Sequence, residues 1–388
     1  MKVRKIISLL MITAMTLNMV GCTDNKSTEP DNVIIDPVTG EEIHSYNIAV
    51  CLSEDNTRSS AYVAGFKAAL NKRFPDDIIN YQQFVSGQDS NTPRDIAISA
   101  SSGYNVVFTC GEEMLDATQQ VIKIVPIVAC DVYDFQGITG LEMTTDWDKY
   151  TGRNITGVSN IPPYGPQLSI MIEASNKLFT VGLLQAEDDH NADFQNQMFI
   201  KKLKEANIKY YLYTLPPKDY DEESVNLEGD TVITHVNRED LIKDACQKCD
   251  VLYIPGGSSL GSDKEIMQMI RNQSVMTCTP TYGGDTRLAE YTTVTLFSDP
   301  YDLGYQAGKK AASILKGSSA KDIKISNCSE KYCTKLYNGP IARASFIEFP
   351  KSFAELNTFL KDYSFEELTV EDTEEAESDA DNTEEQEN

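Results

Sequence analysis

Tyr46-Asn47-Ile48-Ala49-Val50-Cys51-Leu52 sets the beat that decides the fold. It is an apolar run of strand length, followed by an amphipathic run over Ser59 to Arg73 and a second strand-like run over Ile78 to Phe84. The alternation continues with helices expected over Pro93 to Ser101 and Glu112 to Ile122, and strands over Asn105 to Thr109 and Val125 to Cys130. After Gly157 it restarts: strands at Thr180 to Gln185, Ile208 to Thr214, Val251 to Pro255 and Val275 to Pro280, helices at Asn191 to Ala206, Arg238 to Lys248 and Asp263 to Asn272. Strands alternating with helices imply parallel sheets wound by right-handed crossovers. A body of this length exceeds what one core usually organises, so two α/β lobes are expected, each working at the carboxyl ends of its strands.

The chain ends read differently from the body. Lys2, Arg4 and Lys5 precede a mostly apolar run over Ile6 to Val20, too short to span a bilayer stably. Met19-Val20-Gly21-Cys22 then resembles a bacterial lipobox, which implies a lipoprotein signal peptide over residues 1–21 and acylation of Cys22 as the new N-terminus. Residues 22–45, rich in Asp, Asn, Ser, Thr, Pro and Glu, are expected to form a flexible tether. Residues 364–388 hold twelve Asp and Glu and no Lys or Arg, the composition of a disordered acidic tail. The expected location is the extracytoplasmic face of the cell membrane, held by lipid.

Composition excludes some functions. The formal charge is −25 and no basic stripe interrupts the body, which argues against nucleic acid, since phosphate binding requires clustered Lys and Arg. GxxxxGK[ST] is absent and no cofactor is expected. Cys246-Gln247-Lys248-Cys249 has redox or metal spacing, and Cys328 and Cys333 would complete four ligands. However, Cys249 leads straight into a strand and the second pair lacks a tight turn, so structural zinc is not expected. A Cys328 to Cys333 disulfide is the better reading of that pair, although connectivity cannot be read from sequence.

Specific stretches resemble a known family. Asn154-Ile155-Thr156-Gly157-Val158-Ser159 and the run Asp299-Pro300-Tyr301-Asp302-Leu303-Gly304-Tyr305-Gln306-Ala307-Gly308, continuing to Gly317, are similar to segments of bacterial ABC-transporter substrate-binding lipoproteins of the tryptophan/tyrosine-binding type. Gly65-Phe66, Tyr253-Ile254-Pro255 and Gly284-Asp285-Thr286 add weaker matches. The resemblance implies a type I periplasmic-binding-protein fold, with two Rossmann-like lobes, a three-strand hinge and a small solute in the cleft. On that template the N-terminal lobe takes residues 46–157 plus 292–317 and the C-terminal lobe 158–291 plus 318–363. Closing the lobes presents a combined surface that an ABC permease in the membrane distinguishes from the open form. A monomer is expected.

The cleft loops are the candidate site. Glu54, Asp55 and Asn56 follow the first strand, Glu112 opens the helix after Asn105 to Thr109, Tyr133 and Asp134 follow Cys130, and Ser258 and Asp285 are expected from the second lobe. Converging carboxylates with an aromatic face favour a solute bearing a positive amine, with an aromatic amino acid as the alternative. Glu112 and Glu113 would also stabilise a helix start while facing solvent. Two other functions use the same residues differently. Gly257-Ser258-Ser259-Leu260-Gly261 matches the GxSxG of serine hydrolases, but His44, His190 and His235 all lie upstream, whereas that fold expects its His downstream. A ligand-sensing receptor of the same fold would differ only in its signalling partner.

Overall fold

The computed structural model describes residues 33–35, 40, 42–88, 91–140, 150–175, 177–225, 231–328 and 330–362. The expected signal peptide, Cys22 and the whole of the acidic tail lie outside these residues. By their contacts, residues 1–44 and 45–388 are separate units. In the first, β1 (Val33–Ile35) pairs antiparallel with Glu42, Ile43 and His44. This part of the expected tether is therefore strand: Val33-Ile34-Ile35 is a β-branched triplet whose local preference the polar average of the segment conceals.

The second unit is layered around two sheets. The first contains β2 (Glu42–Leu52), β3 (Ile78–Val85), β4 (Val106–Cys110), β5 (Ile127–Val132) and β6 (Ile155–Ser159), joined through α1 (Thr57–Arg73), α2 (Pro93–Ser99), α3 (Glu112–Val121) and α4 (Phe135–Thr139). Its order is β3-β2-β4-β5-β6, all parallel, as the alternation predicts. Apart from the edge strand β3, which is largely exposed, and the start of β2, these strands are buried on both faces and read as continuous apolar runs. Chain direction across the sheet reverses between β2 and β4, which is the switch point where an open α/β sheet leaves a crevice.

The second sheet follows α5 (Tyr164–Ser175). It uses β7 (Thr180–Ala186), α6 (His190–Glu205), β8 (Lys209–Leu215), a separate hairpin of β9 (Tyr220–Val225) and β10 (Thr231–Val236), α7 (Arg238–Lys248), β11 (Val251–Ile254), α8 (Lys264–Thr277) and β12 (Thr281–Gly283). It continues with β13 (Val294–Ser298), after which α9 (Pro300–Leu315) and β14 (Ser326–Asn327) return to the first layer. Finally β15 (Cys333–Tyr337), α10 (Gly339–Ala344), β16 (Ala354–Glu355) and α11 (Leu356–Asp362) complete the described chain. The order is β16-β15-β13-β12-β11-β7-β8, with β15 antiparallel to β13 and the other pairs parallel. Its switch point lies between β7 and β11.

Three expectations change. Val275 to Pro280 is not a strand: α8 runs on to Thr277, Cys278 caps it in the left-handed conformation, and the strand begins at Thr281. Ile266, Met267 and Ile270 set a helical period that Gln273 and Ser274 extend into buried positions, and that period wins over the local apolar run. The strand Val294–Ser298, expected with the first lobe, pairs with β12 and β15 in the second sheet, whereas β14, expected with the second, pairs with β6 in the first. The three chain crossings between sheets therefore follow β6, β13 and β14, so the lobe boundary expected between residues 291 and 292 falls within the second layer instead.

Helices α1 and α9 meet backbone to backbone. A Cβ on Gly65 would overlap the Tyr301 carbonyl oxygen, one on Gly304 the Tyr62 carbonyl oxygen, and one on Gly308 would come within 2.5 Å of the Phe66 carbonyl oxygen. The glycines of the Leu303-Gly304 to Gly308 run are thus spacing elements that let the helices approach closely. Around them Tyr62, Phe66, Phe108, Leu303, Ala307 and Ala311 form one buried core.

Candidate functional site

The two switch points converge on one cavity of about 310 Å³. From the first layer come Ser53, Glu54, Asn56, Arg58 and Ser59 after β2, Cys110 to Glu113 at the end of β4, and Asp131 and Tyr133 at the end of β5; from the second come Asn191, Gly257 and Arg287. The volume sits at the lower end of the range for small-molecule sites.

Each wall has a local cause. Asn56 caps α1, accepting from Ser59 N at 2.9 Å while its own amide donates to Ser59 Oγ at 2.9 Å, and it holds Glu54 through Nδ2 at 2.9 Å. The cap aims the first turn of α1 inward, placing Arg58 at the cavity. Gly111, with φ +105, opens α3 where any Cβ would strike Ser53 Oγ. Glu112 then turns back to accept from Tyr133 N at 2.8 Å and Asp134 N at 3.3 Å, while its other oxygen accepts from Asn191 Nδ2 at 2.9 Å. One carboxylate therefore ties α3, the loop after β5 and the start of α6 together.

Arg58 is the central charge. Its Nη2 lies 3.1 Å from Asp131 Oδ1 and donates to the Tyr133 and Tyr62 hydroxyls, each at 3.3 Å, while its Nε is buried with no partner among the described residues. Burial acts against its charge, but Tyr62, Tyr133, Asp131 and Asp285 together hold it firmly protonated. Asp131 sits at φ +57 beside a bulge in β5 and also accepts from Asn160 Nδ2. Asn160 in turn accepts from Tyr62 Oη at 2.9 Å, so the first crossing between the sheets is wired into the same network.

Across the cleft the Tyr133 ring lies on the Gly256-Gly257 turn, where a Cβ on Gly257 would come within 2.6 Å of the ring. Its hydroxyl donates to Asp285 Oδ2 at 3.4 Å, and burial, reinforced by Asp285, pushes the phenol up to about 12. Asp285 is buried, which alone would raise its carboxyl. The Arg287 guanidinium at 2.9 Å and the Gly257 amide at 2.8 Å overcome this and hold it below the usual carboxylate range. Arg58 and Tyr133 also wall a second cavity of about 110 Å³, more apolar, lined by Phe297, Leu303 and Leu360.

Of the expected site residues, Glu54, Asn56, Glu112 and Tyr133 line the main cavity, and Asp285 faces the smaller one. Asp55 is exposed outside it. Asp134 is buried as the cap of α4, accepting from Gly137 N at 2.8 Å, with its carboxyl raised by burial. Ser258 donates to Asp189 Oδ2 at 2.7 Å and lines neither cavity. Arg58, Asp131, Asn191 and Arg287 were not singled out from the sequence. For Arg58 a signal existed: two residues past a helix cap, in the first turn after a strand's carboxyl end, is where a long cation reaches a cleft.

The sequence profile of the ABC transporter substrate binding protein family matches residues 45–352. The chain belongs to that family. A protein described as tyrosine-binding, from Clostridioides difficile (strain R20291), is 22% identical over 333 residues, covering 85% of this chain and 89% of that protein. Among solved structures, the ligand-free, open form of a substrate binding protein with adhesive properties from Clostridium difficile superposes with a TM-score of 0.63 at 19% identity, over 80% of this chain and 99% of the other. An ABC domain from Streptococcus pneumonia in complex with L-Trp gives 0.56 at 19% identity, over 79% and 97%. These likenesses show a type I periplasmic-binding-protein fold.

Membership also disposes of the hydrolase reading: this is a substrate-binding protein and not an enzyme. The geometry agrees, because the central serine of the GxSxG match, Ser259, donates at 2.9 Å to the Asp189 carboxylate that also takes Ser258. Both hydroxyls fasten the turn after β11 to the start of α6. Among the described residues no His, Cys, Asp and Glu cluster could hold a metal ion.

Proposed function

We propose that this chain is the solute-binding lipoprotein of an ABC importer, anchored through Cys22 on the extracytoplasmic face, and that it clamps one zwitterionic amino acid between two lobes. The observation that carries the reading is Arg58 beside Asp131 in the cavity. The Arg58 guanidinium lines the cavity as the cation for an α-carboxylate, and its buried Nε is a donor with no partner among the described residues, while Asp131, Glu54 and Glu113 supply acceptors for an α-ammonium. A purely cationic solute fits less well, because Arg58 and Arg287 already neutralise Asp131 and Asp285. The relatives described as tyrosine-binding and as a complex with L-Trp support an aromatic side chain, with Tyr133 as its neighbour.

In this reading the first lobe is built on β2 to β6 with α9 and β14, the second on β7, β8, β11 to β13, β15 and β16. They close about the three crossings as a monomer, and the closed form is what the permease recognises. Among the described residues no helix is long and apolar enough to cross a membrane. The anchor is assigned to lipid on Cys22 from the Met19-Val20-Gly21-Cys22 sequence. Several acyl chains hold stably where one would not.

Calorimetry and thermal melts of the full chain with L-tyrosine, L-tryptophan, tyramine, tryptamine and neutral sugars test the solute. The amino acids are expected to bind one to one without turnover, stabilising by about 2.7 kcal/mol at a hundred times the dissociation constant. Tyramine binding as tightly as L-tyrosine would return the site to a cationic solute, and chemical conversion of the solute would mean an enzyme. Cys22→Ser is expected to leave the membrane fraction.

A further inference from the structure

We propose that Cys328 and Cys333 form a modification site: a dithiol that closes to a disulfide by exchange and so staples one of the three crossings between the two sheets. Their sulfurs lie 3.4 Å apart. Cys328 follows β14, which pairs with β6 in the first sheet, whereas Cys333 opens β15, which pairs with β13 in the second. A bond between them would join the last residue leaving one layer to the first residue entering the other.

The two sulfurs are not equivalent. Cys328 is 2% exposed, while Cys333 is half-buried and has Ser298 Oγ at 3.8 Å. The Cys328 thiol donating to Cys333 raises the former and lowers the latter, whose hydrogen bond with Ser298 acts in the same direction. The other described cysteines differ: Cys51, Cys110, Cys130, Cys246 and Cys249 are buried, with Cys51 pushed up to about 12 by burial, and Cys278 is a lone exposed thiol.

The exchange begins at Cys333. Its thiolate attacks one sulfur of a small organic disulfide, the reagent's S–S bond breaks, and one thiolate leaves to take up the proton Cys333 released. Cys328 then loses its proton to solvent and attacks the Cys333 sulfur of the mixed disulfide, expelling the second thiolate, which is protonated in turn. Two cysteines are oxidised and one reagent disulfide is reduced to two thiols. The resulting small ring restricts the backbone of a crossing that must rotate when the layers move.

Oxidised glutathione is the probe, applied to the folded full chain, followed by denaturation, alkylation and tryptic mapping. Trypsin cuts after Lys331, between the two cysteines, so the flanking peptides stay joined only through a disulfide. The expected result is that joined pair, lighter by two hydrogens than the separate thiol peptides, with Cys51, Cys110, Cys130, Cys246 and Cys249 alkylated. Cys328→Ser is expected to trap glutathione on Cys333, and Cys333→Ser to trap none at Cys328. Recovery of both cysteines alkylated from oxidised wild type, or glutathione on Cys328 in the Cys333→Ser chain, would overturn the site. Amide exchange over residues 326–337 is expected to slow on oxidation and recover on reduction; identical exchange in both forms would overturn the staple.

Discussion

The hydroxyl of Tyr133 stands 3.4 Å from Asp285 Oδ2, so a residue on the loop after β5 of the first sheet meets a carboxylate held by the turn after β12 of the second. Arg58 donates to the same phenol oxygen at 3.3 Å, making Tyr133 the relay between a paired cation on one side and a paired anion on the other. Tyr133→Phe keeps the ring on the Gly256-Gly257 turn and removes only the relay. It is expected to weaken amino-acid binding by about 1–2 kcal/mol, roughly tenfold, measured by calorimetry with the melting temperature little changed. A double-mutant cycle with Asp285→Asn should give a coupling energy well above zero; strict additivity would show that the contact carries nothing.

Arg58→Met removes the only guanidinium among the described residues whose buried Nε has no partner there and leaves Asp131 with Asn160 and the Tyr62 hydroxyl, which donates to it at 3.3 Å. Discrimination between an amino acid and its decarboxylated amine is expected to collapse, since the proposed carboxylate partner is gone. Equilibrium competition between L-tyrosine and tyramine on the variant reads this directly.

Gly65→Ala places a methyl against the Tyr301 carbonyl, so α1 and α9 must separate. The expected cost is about 1–3 kcal/mol in chemical denaturation. Gly165, inside α5 with nothing within 4 Å of its would-be Cβ, is the control. There alanine meets no neighbouring atom, but the position lies in the first turn and precedes Pro166, whose ring opposes a Cβ on a helical neighbour, so the effect is expected to stay within about 1 kcal/mol.

Asp285 gives the interlayer contact a pH dependence. Its folded carboxyl lies below the unfolded value, so its contribution to stability is full above about pH 4 and is lost as pH falls through the lower folded value. Melts of the wild type and of Asp285→Asn should therefore converge on acidification and diverge toward neutrality. A constant gap from neutral pH down to pH about 2 would contradict that linkage.

How much of this was legible in the sequence follows from the range of each signal. The βα beat over Tyr46 to Cys130 is local, and the strands and helices fall where the apolar periods put them, most plainly at β4 and β5, which are covered on both faces; the edge strand β3 is largely exposed and is marked by its alternation instead. The second half was harder. Val275 and Met276 read as strand because their apolar character was weighed without the helix that carries them, and the hairpin of Tyr220–Val225 with Thr231–Val236 was not anticipated at all. At the site Glu54, Glu112 and Asp285 were anticipated and line the cavities, whereas Arg58 and Arg287 were not anticipated. Carboxylates at strand ends are visible in sequence, but whether each is open to a solute depends on partners brought in from elsewhere. Arg58 reaches Asp131 from 73 residues away, and Asn191 reaches Glu112 from 79. Arg287 is near Asp285 in sequence, yet its engagement depends on a turn whose geometry composition does not reveal.

The glycine contacts of α1 and α9 also set an order of events in the life of the chain. Phe66 and Phe108 belong to a core that needs Leu303, Ala307 and Ala311, so a chain delivered from its N-terminus carries an unfinished first layer until more than 190 further residues have followed Phe108. Loop closure over that distance is slow relative to the pairing of neighbouring strands. The second sheet, in contrast, draws β7, β8, β11, β12 and β13 from one continuous stretch and can assemble first. The half made first therefore waits for a helix made after most of the second sheet, and during that interval its apolar face is available to whatever holds or threads unfolded polypeptide.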